Sequence, residues 1–262
     1  MKIRANGIDI EYQIEGNGPC VTLSHSLACN NAMWDPQIAA LARHYRVLRY
    51  DTRGHGGSTA TPPPYTLEQL AEDARALLDA LGIERTHWVG LSLGGMIGET
   101  FALQYPDRLQ TLVLCDTTSR YPSEAAAMWD DRIKSAAASG MAALAESTLG
   151  RWFTKPYRES HPDIVQKFAN AIAATPHAGY AGCGRAIAVI NVTEQLRQLR
   201  LPTLVIVGEQ DMGTPVAMAR EIADAIPGAE LKILPSAAHL SNVEQAELFN
   251  EALIGFLARH DG

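Results

Sequence analysis

Two kinds of hydrophobic pattern alternate along the chain. Short apolar strings come first: "IDIEYQI" from Ile8, "CVTLS" from Cys20 and "RVLRY" from Arg46. "HWVGL" from His87, "TLVLC" from Thr111, "TLVIVG" from Thr203 and "ELKIL" from Glu230 follow. Most of the later strings are apolar on both faces, the pattern of strands in a parallel sheet covered above and below. Between them, apolar positions repeat at helical spacing. The clearest helix runs from Thr66 to Leu81, with Leu67, Leu70, Ala74, Leu77 and Leu81 on one stripe. Thr66 can cap it, Gln69 completes a capping box and Gly82 ends it. Strand alternating with helix predicts a doubly wound α/β sheet.

The alternation lapses between Tyr121 and Gln195, a stretch rich in alanine that reads as several helices without a strand. It resumes at Thr203. The economical reading is one core, residues 1–120 and 196–262, with residues 121–195 inserted as a helical cap over the carboxyl edge of the sheet.

Composition narrows the function classes. A net charge of −7 lacks the basic face that a nucleic-acid partner needs. No apolar run approaches the roughly 20 residues that span a bilayer, so no membrane partner is expected. No opening stretch combines a basic start, an apolar run and a cleavage site, so a cytoplasmic setting is expected. The four cysteines (Cys20, Cys29, Cys115 and Cys183) are scattered, and the histidines are not clustered. Neither a metal site nor a disulfide framework is indicated, and no cofactor is expected.

Chemistry enters at "HWVGLSLGGMIGE", from His87 to Glu99. Gly90-Leu91-Ser92-Leu93-Gly94 places one serine between glycines where a strand gives way to a helix, the pattern of a nucleophile elbow. A turn that tight makes neighbouring side chains collide, which is why glycines flank the serine. The hydroxyl then stands above a helix N-terminus that favours developing negative charge. A serine at neutral pH needs a base, and the base needs an orienting acid. In chain order the acid follows the serine and precedes the histidine. Asp211 lies just past "TLVIVG", and His239 lies on the loop beyond "ELKIL". Asp116, just past "TLVLC", is a rival acid, and Glu209 a third. Among the other histidines, His87 sits inside the serine's own strand and His55 in the glycine-rich turn "DTRGHGGS", positions that suit structural roles. His25, at the end of "CVTLS", either lines the pocket floor near Ser92 or is structural. The two backbone N–H groups of an oxyanion hole are expected from Leu93 and, in "SHSLACNNAMW", from Leu27.

"RVLRYDTRGHGGS", "GLSLGGMIG", "GYAGCGRAI", "LPTLVIVGEQDMGTP" and "AAHLSNVE" together resemble an α/β-hydrolase of the 3-oxoadipate enol-lactonase type. The resemblance runs from the first strands to the last helix. It implies a mostly parallel eight-stranded sheet with helices on both faces and a helical cap. It also implies Ser92 as nucleophile, Asp211 as acid and His239 as base. Two departures bear on substrate identity. Such lactonases often read Asn-Ser-Leu-Gly where this chain has His25-Ser26-Leu27-Ala28. After "GYAGC" they often carry an arginine and aspartates, where this chain has Ala188 and Asn191 in "GRAIAVINVTEQL".

The implied substrate carries a carboxylate, and the cap offers cations. Residues 121–195 hold seven Lys/Arg and seven Asp/Glu, so the net −7 belongs to the core. Between Arg132 and Arg158 five cations face one anion, Glu146. A net-negative protein does not draw an anion from afar, so a local cation is needed. Arg132, in "MWDDRI" beside Trp129, is the candidate for the substrate carboxylate, with Trp129 beside it in the pocket or in cap packing. The alternative is a solvated helical face. The expected partner is a small lactone or ester. A carboxylesterase on neutral esters is the alternative function, and a non-catalytic binding protein a remote one.

Overall fold

The computed structural model describes residues 1–261. Its eight strands are β1 (Lys2–Ala5), β2 (Ile8–Glu15), β3 (Cys20–Ser24), β4 (Arg46–Tyr50), β5 (Thr86–Leu91), β6 (Leu109–Cys115), β7 (Thr203–Gly208) and β8 (Glu230–Leu234). They form one sheet in the order β1-β2-β4-β3-β5-β6-β7-β8. β1 and β2 pair antiparallel, as do β2 and β4. Every pairing from β4 to β8 is parallel. The central strands β3, β5 and β7 are buried along their whole length, as expected of parallel strands covered on both faces.

The helices of the first half are α1 (Asp35–Leu41), α2 (Leu67–Ala80) and α3 (Leu93–Gln104). Between β6 and β7 come α4 (Ala125–Ser139), α5 (Ala145–Trp152), α6 (Lys155–Ser160), α7 (Pro162–Ala174), α8 (His177–Ala188) and α9 (Thr193–Leu196). The chain closes with α10 (Val216–Ala225), α11 (Ser241–Glu244) and α12 (Ala246–Ala258). α2 keeps the predicted start, with the Thr66 hydroxyl accepting from the Gln69 N–H at 3.1 Å. It packs on α3, and α1 packs against α12. α3 lies on β5, where Trp88 and Phe101 stack at 5.3 Å between ring centroids.

β1 is the strand that the hydrophobic pattern did not reveal. It has four residues, lies at the sheet edge, and buries only Ala5. With one covered position there is no alternation to read.

The helical segment between β6 and β7 leaves and rejoins the core at one place, where Arg120 and Asn191 form an isolated antiparallel bridge. It is fastened to the loop after β8. The Leu240 N–H donates to the Trp152 carbonyl at 3.0 Å, and the Thr154 hydroxyl and N–H both donate to Glu244. It is also fastened to the loop after β4. A Cβ on Gly179 of "GYAGC" would stand 1.9 Å from the Gly54 carbonyl oxygen of "DTRGHG", so the two backbones touch there.

That second loop is held by Arg53, whose Nε and Nη2 donate to Asp73 of α2 at 2.7 and 2.5 Å. Both side chains are buried. Removing one partner leaves an uncompensated buried charge. Asp73→Ala is therefore expected to destabilise the fold by about 3–5 kcal/mol in urea unfolding. A loss under about 1 kcal/mol would show the pair to be solvated.

Candidate active site

β5 ends at Leu91 and α3 begins at Leu93, so Ser92 alone makes the turn. Its backbone sits at φ 55° and ψ −113°. A non-glycine residue there carries strain of about 1–3 kcal/mol, and the surroundings must hold it. They do so from β6. The Ser92 N–H donates to the Cys115 carbonyl at 2.9 Å, and the Thr117 hydroxyl donates to the Ser92 carbonyl at 2.8 Å. Side chains on either side are excluded. A Cβ on Gly90 would lie 2.0 Å from the Gly94 oxygen, and one on Gly94 would lie 2.1 Å from the Ser24 oxygen.

Asp211, three residues past β7, and His239, on the loop after β8, come together. His239 Nδ1 and Asp211 Oδ2 are 2.8 Å apart. With a carboxylate as partner, Nδ1 carries the proton and donates it, which leaves Nε2 as an acceptor. Asp211 also accepts the N–H groups of Gly213 and Thr214 and the Thr214 hydroxyl, at 2.7, 3.1 and 2.7 Å. Burial pushes Asp211 up, but the His239 charge and these hydrogen bonds outweigh it and hold the carboxyl below its ordinary range. Burial pushes His239 down, but Asp211 outweighs it and the imidazole lies above its ordinary value. Asp116 bonds elsewhere, to the Gly208 N–H and the Ser241 hydroxyl. Burial and the nearby Asp211 charge raise it far above a normal carboxyl. Glu209 is exposed and accepts from the Ser236 N–H at 3.3 Å.

Ser92 and His239 line one cavity of about 450 Å³. Its inner wall comes from the loop after β3, including Ser26, Leu27 and Ala28. Much of its roof comes from α4, α5, α7 and α8 and is largely apolar, with Trp129, Trp152, Ile172 and Tyr180 among the lining residues. Two guanidiniums, Arg132 and Arg151, also line it. Arg132 lies over the Trp129 ring, 5.0 Å from its centroid. Arg151 is half-buried, and burial together with the Arg132 charge lowers its pKa. Among the described residues, neither arginine has a carboxylate within 4.0 Å. Lys134 and Lys155, by contrast, are exposed and paired at 3.9 and 3.8 Å with Asp131 and Glu159. The charge run in the sequence therefore divides into two cavity cations, two solvated lysines and Arg158, which is partly buried outside the cavity. Arg151 was not singled out in the sequence, because spacing alone does not say which turn of a short helix faces inward. Ala188 and Asn191 do not line the cavity.

Leu27 lines the cavity, and Leu93 opens α3 beside Ser92. Among the described residues, neither amide donates to another protein group. The expectation that His25 lines the pocket is corrected. His25 is fully buried, away from the cavity, and both ring nitrogens are occupied. Nδ1 donates to the Ser26 carbonyl at 2.7 Å, and Nε2 accepts the Thr52 N–H at 2.9 Å. His55 stands beside it, with ring centroids 5.3 Å apart, and its Nε2 accepts the Ala28 N–H at 3.0 Å. The pair braces the loop that carries Leu27, including Ala28 at φ 60°. Nothing in "SHSL" or "DTRGHG" taken singly announces this, because the two histidines meet only in the fold.

Fold, elbow and cavity together place the chain in a known class. The alpha/beta hydrolase family matches residues 19–246, and the chain belongs to that family and is a hydrolase. Within it, the chain is similar to 3-oxoadipate enol-lactonase 2 of Acinetobacter baylyi, 36% identical over 98% of this chain and 96% of that one. The enol-lactonase from Burkholderia xenovorans LB400 has a closely similar structure. Its TM-score is 0.95 at 40% identity, with 98% of this chain and all of that one covered. A thermophilic esterase from Thermogutta terrifontis, solved with malate bound, has a TM-score of 0.94 at 30% identity, covering 100% of this chain and 99% of its own.

The buried histidine pair predicts a pH dependence of stability. Burial lowers His25 to about 4 and His55 to about 3. The unfolded chain therefore binds protons first, and the stability contributed by the neutral rings is complete above about pH 6.5. It is lost as pH falls toward 4 and then 3. Between pH 7 and 5 each ring is expected to remove about 2 kcal/mol from the unfolding free energy. Urea titrations at the two pH values check this, and His25→Gln should make the difference smaller. An unfolding free energy equal at both would contradict it.

Proposed function

We propose that this hydrolase opens the ring of 3-oxoadipate enol-lactone, or of a close carboxylate-bearing lactone, through an acyl-enzyme on Ser92. The observation that carries the reading is the pair Arg132 and Arg151, which outnumber the one carboxylate of the lining, Glu124, and among the described residues have none within 4.0 Å, in the cavity that also holds Ser92 and His239. Two cavity guanidiniums without a carboxylate within 4.0 Å suit an anionic substrate. The similarity to the two enol-lactonases supports the same choice. In this reading the helical segment between β6 and β7 serves as a cap that selects substrate, while the core performs the chemistry.

His239 Nε2 takes the Ser92 proton as the hydroxyl oxygen attacks the lactone carbonyl. The N–H groups of Leu27 and Leu93 hold the resulting oxyanion, aided by the N-terminus of α3. Asp211 stabilises the imidazolium through the 2.8 Å bond to Nδ1. Collapse breaks the ring acyl–oxygen bond, and the enol oxygen takes the proton from His239. The opened chain stays attached through its acyl group, and its enol tautomerises to a ketone. His239 then deprotonates a water that attacks the acyl carbon, returns the proton to Ser92 and releases a 3-oxo diacid. The four cysteines are free and buried, which suits a reducing cytoplasmic setting.

The apolar remainder of the lining favours a second reading, a carboxylesterase acting on small neutral esters. One comparison separates the two: kcat/KM on 3-oxoadipate enol-lactone and on a neutral aryl ester of similar size. The lactone is expected to be preferred by orders of magnitude. Arg132→Ala and Arg151→Ala should each lower kcat/KM for the lactone about tenfold or more and leave the neutral ester little changed. Ser92→Ala should lower both activities by about 10⁴-fold or more. A neutral ester that matches the lactone, or arginine variants without effect, would favour the esterase.

A further inference from the structure

Asp116 is a buried carboxyl that the mechanism above leaves unused. It is the first residue past β6 and holds a left-handed backbone at φ 44°. Asparagine and aspartate tolerate that region better than most side chains, but it still carries strain that its surroundings must offset. Its two carboxyl oxygens point to different loops. Oδ1 accepts the N–H of Gly208, the last residue of β7, three before Asp211, at 2.8 Å. Oδ2 lies 2.5 Å from the hydroxyl of Ser241, two residues beyond His239. The flanking residues serve the third loop, since the Cys115 carbonyl and the Thr117 hydroxyl hold Ser92. The tripeptide 115–117 is thus hydrogen-bonded to the segments that carry the serine, the acid and the base.

We propose that Asp116 is a positioning residue, a buried clasp that holds the Asp211 loop to the His239 loop and so sets the basicity of His239. The proposal rests on the Ser92–His239–Asp211 reading and adds to it. The clasp works as a neutral acid. With Asp211 ionised nearby, two buried like charges are unfavourable, and burial leaves the proton on Asp116. Four other charged or titratable groups bear on the pair: Asp211 on the β7 loop, Arg151 on α5, Glu244 on α11 and, beside Asp211, Tyr121. Of these, Asp211 raises His239 and Arg151 lowers it. If the clasp is cut, the Asp211–His239 bond loosens and His239 moves down toward its ordinary value.

The test is kcat and KM as a function of pH on 4-nitrophenyl acetate, a neutral ester chosen so that lactone specificity does not enter. Asp116→Ala is expected to lower kcat by about ten- to a hundredfold with KM little changed. Its acidic limb should move to lower pH by about half a unit or more. Asp116→Asn keeps both links, because its amide oxygen accepts from Gly208 and its NH₂ donates to Ser241. It is expected to restore kcat to within about threefold of the parent and to return the limb. Ser241→Ala cuts only the link toward His239 and should also move the limb down, so it decides the matter if Asp116→Ala does not fold. A folded Asp116→Ala with the parent's kcat and limb overturns the proposal. So does a lower melting temperature with an unmoved limb, or an Asp116→Asn as impaired as Asp116→Ala. Ser92→Ala and Asp211→Asn run alongside. If they lose activity while Asp116→Ala does not, the clasp alone fails; if they keep it, the triad reading fails and the clasp with it.

Discussion

The backbone of Ser92, at φ 55° and ψ −113°, is the constraint around which the rest of the molecule is arranged. One strained residue between a buried strand and a helix requires Gly90 and Gly94 on either side, since a Cβ at either would meet a backbone oxygen near 2 Å. It requires partners at and just beyond the end of the neighbouring strand, which Cys115 and Thr117 provide. It also determines where the helix N-terminus points, and hence where negative charge is best accommodated. Strain of this kind persists only where several independent contacts enforce it. Here β3, β5, β6 and α3 all do.

A division of labour follows from the topology. The groups proposed to break bonds sit at the carboxyl ends of parallel strands, on loops tied to one another by short hydrogen bonds. The groups proposed to choose the substrate, Arg132 and Arg151, come from α4 and α5 in the helical segment. That segment meets the core through the Trp152 and Glu244 hydrogen bonds, through the Gly54–Gly179 contact, and through α8 and α9, which pack on α2, α3 and α10. Apolar side chains make up most of the cavity lining, which weakens solvent screening of the charges that face it.

Much of this was legible in the sequence, for identifiable reasons. The Ser92 turn announced itself because only glycines fit beside it, and the two-sided apolar strings marked β5 and β7 because parallel strands are covered on both faces. The Thr66 cap and Gly82 marked α2 because caps are local chemistry. Strand ends and chain order brought Asp211 and His239 forward, and the structure puts them 2.8 Å apart. What stayed hidden depends on tertiary placement. β1 buries one residue and leaves no period. Arg151 and Lys155 look alike in a charge run, and only the fold turns one into the cavity and the other to solvent. His25 ends a buried strand, where its ring could have faced the cavity. That it faces His55 and the loop backbone instead is decided by a segment 30 residues away.

The proposed mechanism requires Ser92 as the nucleophile and His239 as its base. The most direct measurement is intact-mass and peptide mapping after brief exposure to a fluorophosphonate, which phosphonylates an activated serine. A single adduct on Ser92 is predicted, forming quickly in the parent and not detectably in His239→Ala over the same interval. An active protein that gains no adduct, gains it on another residue, or labels equally fast without His239 would contradict the claim.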